Sequence, residues 1–110
     1  MTLIKREQVA QPALRKEAVT VEALGGDVVV RELLLSERLA MRARAQEAEG
    51  DDVQGMVRLL AYAVVDADGL PIFTQAQWDV FGAQHADAVN ELFGKALTLS
   101  GYDGEAARKN

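Results

Sequence analysis

The 110-residue sequence has no cysteine, two prolines, one histidine and one tryptophan, and aromatic side chains make up only 5% of it. Without cysteine there is neither a disulfide nor thiolate chemistry, which fits a reducing compartment. With His85 as the sole histidine, the usual zinc-ligand sets are also missing, and no metal or cofactor is expected. So few aromatics mean that a core must be built mostly from Leu, Val and Ala. No apolar run approaches the roughly 20 residues of a membrane-spanning helix, and residues 1–6 lack the apolar stretch of a signal peptide. Basic charge is the remaining deficit. Twelve Lys and Arg stand against 17 Asp and Glu, giving a formal net charge of −5 and a pI of about 4.8. That is the wrong sign for a phosphate backbone, so a nucleic-acid partner is not expected. These absences lead to a soluble intracellular protein with no membrane attachment.

What is present reads as one small globular domain: 49% hydrophobic and 26% charged residues, at a length suited to a single modest core. Residues 1–17 mix Lys, Arg, Gln and Glu around Pro12 and read as a flexible arm, either a frayed terminus or a segment that orders on a partner. From residue 18 the period becomes two. Val19 and Val21 alternate with Thr20 and Glu22, and Gly25-Gly26 separates them from Val28-Val29-Val30, which predicts a β-hairpin whose turn type Asp27 leaves open. An isolated hairpin is marginal in water, so it must pack on the helices that follow.

Near Leu33 the period shifts to 3.6. Ser36 is a candidate cap for a helix running to about Glu49 and stopping at Gly50, with Glu37 favourable in its first turn. Its apolar stripe, Leu35, Leu39 and Ala43, is thin and flanked by Arg38, Arg42 and Arg44. Asp51 or Asp52 caps a stronger helix with Val53, Met56, Val57, Leu60, Ala61 and Val64 at core spacing. Gly55 within it is a candidate for close packing against a neighbour. The stretch 59–73, LLAYAVVDADGLPIF, ends that helix in a polar turn, where Gly69 can take positive φ and Pro71 keeps Leu70 extended. Thr74 and Gln77 form a capping box, with Phe73 stapled on Trp78, for a helix over 75–81. A last helix over 86–99 presents Val89, Leu92, Phe93, Ala96 and Leu97, stopped by Ser100-Gly101, and residues 102–110 read as a flexible tail. The fold class is therefore α+β: an N-terminal β-hairpin packed on a bundle of about four helices, spanning residues 18–101. Val57, Leu60, Ala61, Val64, Phe73, Trp78, Val89, Phe93 and Leu97 are the expected core.

No constellation points to catalysis. His85 has only Asp87 nearby, at a helix start, where a capping or surface role is the simpler reading. Asp66 and Asp68 fail the calcium-loop pattern, since Pro71 stands at the loop's sixth position and Gln77 at its twelfth, and turn chemistry accounts for them. Gly25-Gly26 is followed by no GK[ST], and Ser36 and Ser100 sit in no nucleophile motif. Phe73, Trp78, Phe81 and Phe93 read as core, with an interface anchor as the alternative.

The order of these pieces — strand, Gly-Gly, Val-rich strand, then VRELLLSERL at 30–39, LLAYAVVDADGLPIF at 59–73 and DAVNELFGKALTLSG at 87–101 — resembles the tail assembly chaperones of long-tailed, siphovirus-type bacteriophages and prophages. The resemblance covers residues 18–101. It implies a non-enzymatic interaction role: binding tape measure protein and helping to recruit the major tail tube protein before the tube polymerises. It places the protein in the host bacterial cytoplasm and outside the mature virion. Self-association is a further expectation, and Leu35, Leu39 and Ala43 are the candidate partner-binding residues. The resemblance also implies a longer product made by programmed frameshifting. Arg108-Lys109-Asn110 is compatible with a slippery heptamer, and equally with an ordinary charged tail. The alternatives are another small phage structural or adaptor protein, such as a head–tail connector component, or an enzyme with an unrecognised site.

Overall fold

A computed structural model describes residues 2–47 and 52–101. Its architecture is α+β: a three-stranded antiparallel sheet, in the order β1-β2-β3, against four helices among the described residues. The predicted hairpin consists of β1, Lys16–Val21, and β2, Gly26–Arg31, joined by a short 3-10 turn at Glu22–Leu24. Gly25 closes the turn at φ +86°, a conformation that favours glycine. The register pairs Val19 with Val28, and Thr20 Oγ1 donates to Asp27 Oδ1 across it at 2.7 Å. β1 starts at Lys16, and the Glu32 N–H donates to the Arg15 C=O at 2.9 Å, so the end of the segment read as an arm pairs in the sheet.

The helices are α1, Leu35–Glu47; α2, Asp52–Ala63; α3, Gln75–Gln84; and α4, Ala86–Leu99. α2 stops one residue short of Val64, which the apolar spacing had placed on the helix. Val64–Val65 is instead β3, paired with Val30 and Val29 of β2. Two β-branched residues at a helix end are better housed in a sheet, and the buried edge of β2 supplies the partner. The polar turn then forms as expected. Asp66 Oδ1 accepts the amides of Asp68 at 2.8 Å and Leu70 at 3.0 Å, and Gly69 sits at φ +83°.

The capping box of α3 is complete. Gln77 N–H donates to Thr74 Oγ1 at 3.2 Å and Thr74 N–H to Gln77 Oε1 at 2.9 Å, while Phe73 meets Trp78 edge to face at 5.0 Å. The helix runs three residues past Phe81, to Gln84, because nothing at Gly82 requires a left-handed turn. Its single-residue junction with α4 is His85, which closes one helix and opens the next.

The core lies between the sheet and α2, α3 and α4. Val57, Leu60, Val64, Trp78 and Val89 are buried as expected, joined by Val21, Val28, Val30, Leu33, Leu59, Ala63, Phe81, Leu92 and Ala96. Ala61, Phe73, Phe93 and Leu97 pack against this cluster but are only half-buried. Val53 is a correction: it has the right spacing but lies 57% exposed at the start of α2. Gly55 is not a close-packing site, since a Cβ there would meet nothing within 4 Å. Gly50, Asp51 and the tail, including Arg108, Lys109 and Asn110, lie outside the described residues, and Asp52 is the first helical residue of α2.

Candidate partner-binding surface

α1 is hung from the sheet by charge. Arg31, the last residue of β2, donates from Nη1 and Nη2 to the two carboxylate oxygens of Glu37 at 2.9 and 2.8 Å. Glu37 Oε1 also accepts the Leu34 N–H at 2.8 Å, so it satisfies the amide at the helix's capping position. Ser36 is therefore not the cap. The helix begins at Leu35, one residue ahead of it, because the tethered carboxylate reaches back over the first turn. Burial alone would push the Glu37 carboxyl up. The Arg31 and Leu34 hydrogen bonds outweigh it and hold the pKa below the ordinary glutamate value, while the same contact raises Arg31. The bidentate geometry adds direction as well as energy, which is how one ion pair can orient a helix.

The other side of α1 docks at the end of α4. Arg38 donates from Nη2 to the Ser100 C=O, and Met41 packs on the core. Ser100 is buried, with its Oγ accepting the Leu33 N–H at 3.1 Å. Ser100 thus holds the strand-to-helix link rather than merely ending α4. Arg15 Nη2 adds a hydrogen bond to the Leu99 C=O at 2.6 Å.

With Arg38 and Met41 turned inward, Leu35, Leu39 and Ala43 fall together on the outer face at i, i+4 and i+8. Leu35 is 71% and Leu39 53% exposed, Ala43 is exposed as well, and Leu34 adds to the apolar edge. Arg42 and Arg44 are exposed beside them. A row of aliphatic side chains rimmed by guanidinium groups suits the apolar face of a partner helix.

The structure adds two apolar surfaces that the sequence reading missed. One is a groove of about 420 Å³ on α3, lined by Phe73, Ala76, Val80 and Phe81 with Gln77 and Gln84 at its edge. The other, of about 290 Å³, lies between α2, α3 and α4, with Val53, Met56, Asp79, Ala83, Ala86 and Asn90 among its walls. Trp78 is part of the second lining. Its Nε1 is buried with no hydrogen-bond partner among the described residues. Val80 was the one available signal for the first groove, an apolar residue off the buried face of α3.

His85 is exposed at the junction of α3 and α4. Its ring lies against Phe81 at 4.8 Å, and it makes no side-chain capping hydrogen bond. Among the described residues no group of three His, Cys, Asp or Glu could hold a metal ion, and no helix is long and apolar enough to cross a membrane.

No family model matches the sequence, and no curated protein does. Among solved structures, the tail assembly chaperone of bacteriophage HK97 superposes with a TM-score of 0.61 at 20% identity, covering 84% of this chain and 88% of that one. The chain has the fold of that tail assembly chaperone. The likeness takes in most of both chains rather than a common fragment.

Proposed function

We propose that this protein is a tail assembly chaperone of a long-tailed phage or prophage. In this reading it binds the tape measure protein in the host cytoplasm before the tail tube polymerises, helps to recruit the tail tube protein, and is left out of the finished virion. The observation that carries the reading is the near full-length fold match to the HK97 chaperone. Two further features support it. Leu35, Leu39 and Ala43 leave an aliphatic row exposed on α1, and a long apolar helix in a partner is the natural ligand for such a row. The chain's groups are arranged for packing rather than for proton transfer, which favours a binding role over a catalytic one. A longer frameshifted product fits the same role, because a second domain tethered through residues 102–109 would grip a second partner at high effective concentration. The codons for Arg108 to Asn110 test that extension, and AAG at Lys109 removes it.

The role itself is tested by co-expressing the chain with the tape measure protein of the same phage or prophage. The expected result is a soluble complex on size exclusion and no copy of the chain in purified particles. A connector component would instead remain in the particle.

A further inference from the structure

α1 carries a charge excess opposite in sign to that of the whole chain. Leu35–Glu47 holds three Arg against two Glu, in a chain of net charge −5. By contrast α3 has one Asp and no cation, α4 has two acids and one Lys, and α2 has one of each sign. The internal contacts of α1 use only part of its charge. Glu37 is committed to Arg31, and Arg38 to the Ser100 C=O. Arg42 and Arg44 stay exposed, and neither has an ion-pair partner among the described residues. No carboxylate is exposed among the described side chains of the helix.

Arg42 follows Leu39 by three residues and Leu35 by seven, so helical geometry sets it on the same outward face as the aliphatic row. From Leu35 to Ala43 that row runs about 12 Å, a little over two turns. The face is therefore aliphatic along its length, with a guanidinium beside its C-terminal half.

We propose that the helix seated on α1 is an acidic amphipathic one. Its aliphatic residues, one turn apart, cover Leu35 and Leu39, and an Asp or Glu beside them pairs with Arg42, with Arg44 drawing further carboxylates to the edge. The proposal rests on the tail-assembly reading for the owner of that helix, the tape measure protein, and on α1 alone for its chemistry. The leucines supply the burial. The arginines select the partner, because charges at the rim of an interface act on encounter and on wrong partners more than on total affinity. The charge of the whole molecule predicts the reverse preference, since a net −5 attracts a basic ligand. The arginines prevail only at contact range, within the Debye length of about 8 Å at physiological salt. Exposed leucines beside arginines also suit an anionic membrane. That occupant is disfavoured here: α1 has no aromatic residue, its row is two leucines and an alanine, and anionic headgroups repel the acidic body.

The test titrates full-length protein with two helix-stabilised amphipathic peptides that share one leucine stripe. One carries Glu at the flanking positions and the other Lys, and binding is read by fluorescence anisotropy at low and high salt. The acidic peptide should bind roughly tenfold more tightly than the basic one, and salt should narrow the difference. Arg42→Glu with Arg44→Glu should reverse the preference. Leu35→Ala with Leu39→Ala should weaken both peptides alike. All four side chains are exposed, so the urea midpoints should match wild type. Binding of neither peptide, equal affinity for both, preference for the basic one, a preference unchanged in the arginine variant, or binding to phosphatidylserine vesicles in place of the peptides would each overturn the proposal. The tape measure protein of the same phage or prophage is titrated alongside. If it binds wild type and the arginine variant equally, the proposed contact is wrong while the tail-assembly role stands. If it does not bind while the peptides behave as expected, that role fails and the acidic-helix preference of α1 stands.

Discussion

Breaking the Arg31–Glu37 pair should loosen the attachment of α1, and the cost can be worked from the structure. The two side chains are 17% and 14% exposed and share two hydrogen bonds of 2.9 and 2.8 Å. An exposed pair contributes about 0–1 kcal/mol, and removing one partner of a fully buried pair costs about 3–5 kcal/mol. A pair this sheltered falls between, so Arg31→Ala should cost about 2 kcal/mol. Glu37→Ala should cost about 1 kcal/mol more, because the Leu34 amide loses its acceptor too. Glu37→Gln keeps an acceptor for that amide and should fall below both. In a double-mutant cycle the coupling should be about 1–2 kcal/mol. Urea unfolding read by Trp78 fluorescence is the assay, since the only tryptophan is fully buried and reports loss of the core. The pH dependence has a definite sign. Glu37 has a lowered pKa in the folded state, so its stabilisation is present above the ordinary glutamate range and is lost as pH falls through the folded value. Glu37→Gln should therefore flatten the loss of stability in acid. A coupling under about 0.3 kcal/mol would refute the tether, because that is the scatter expected of independent sites.

Ser100→Ala should cost about 1–3 kcal/mol in the same assay, since it leaves the buried Leu33 N–H without its acceptor. Ser36→Ala, at an exposed position that does not cap α1, should stay within about 0.5 kcal/mol and serves as the control. Gly55→Ala should stabilise by up to about 1 kcal/mol, because the added methyl meets open space and helical Ala is favoured over Gly; a destabilised variant would contradict the open packing at α2. Thr74→Ala should lose about 1 kcal/mol with the capping box of α3, and an unchanged urea midpoint would show that Gln77 and the Phe73–Trp78 contact hold the helix start alone.

What could be read from the sequence was what the chain decides locally. The capping box at Thr74 and Gln77, the Asp66 turn and the span of α4 depend on residues within one or two turns of each other, and all three appear in the structure as expected. What escaped was decided by distant partners. Ser36 looks like the better cap until Arg31 draws Glu37 back over Leu34. Val64 continues the apolar spacing of α2, and only the edge of β2 makes it a strand. Val53 keeps the helical period but lies on the wall of the open cavity between α2, α3 and α4, which leaves it exposed. The surface shows the same division. The stripe Leu35, Leu39 and Ala43 was visible because it repeats along one helix. The α3 groove was not, because its lining comes from aromatics that also pack the core, and only Val80 stands clear of them.

The most direct test of a tail-assembly role is the affinity of the purified chain for the tape measure protein of the same phage or prophage, measured by calorimetry for wild type and for Leu35→Glu with Leu39→Glu. Both leucines are exposed, so the double variant should unfold at the wild-type urea midpoint. The expected result is a 1:1 or higher-order complex for wild type, with affinity at least 30-fold weaker in the variant, about 2 kcal/mol for the loss of two interface anchors. A wild-type chain that binds neither tape measure nor tail tube protein would contradict the proposed function, and undiminished binding by the variant would show that the contact lies elsewhere than on α1.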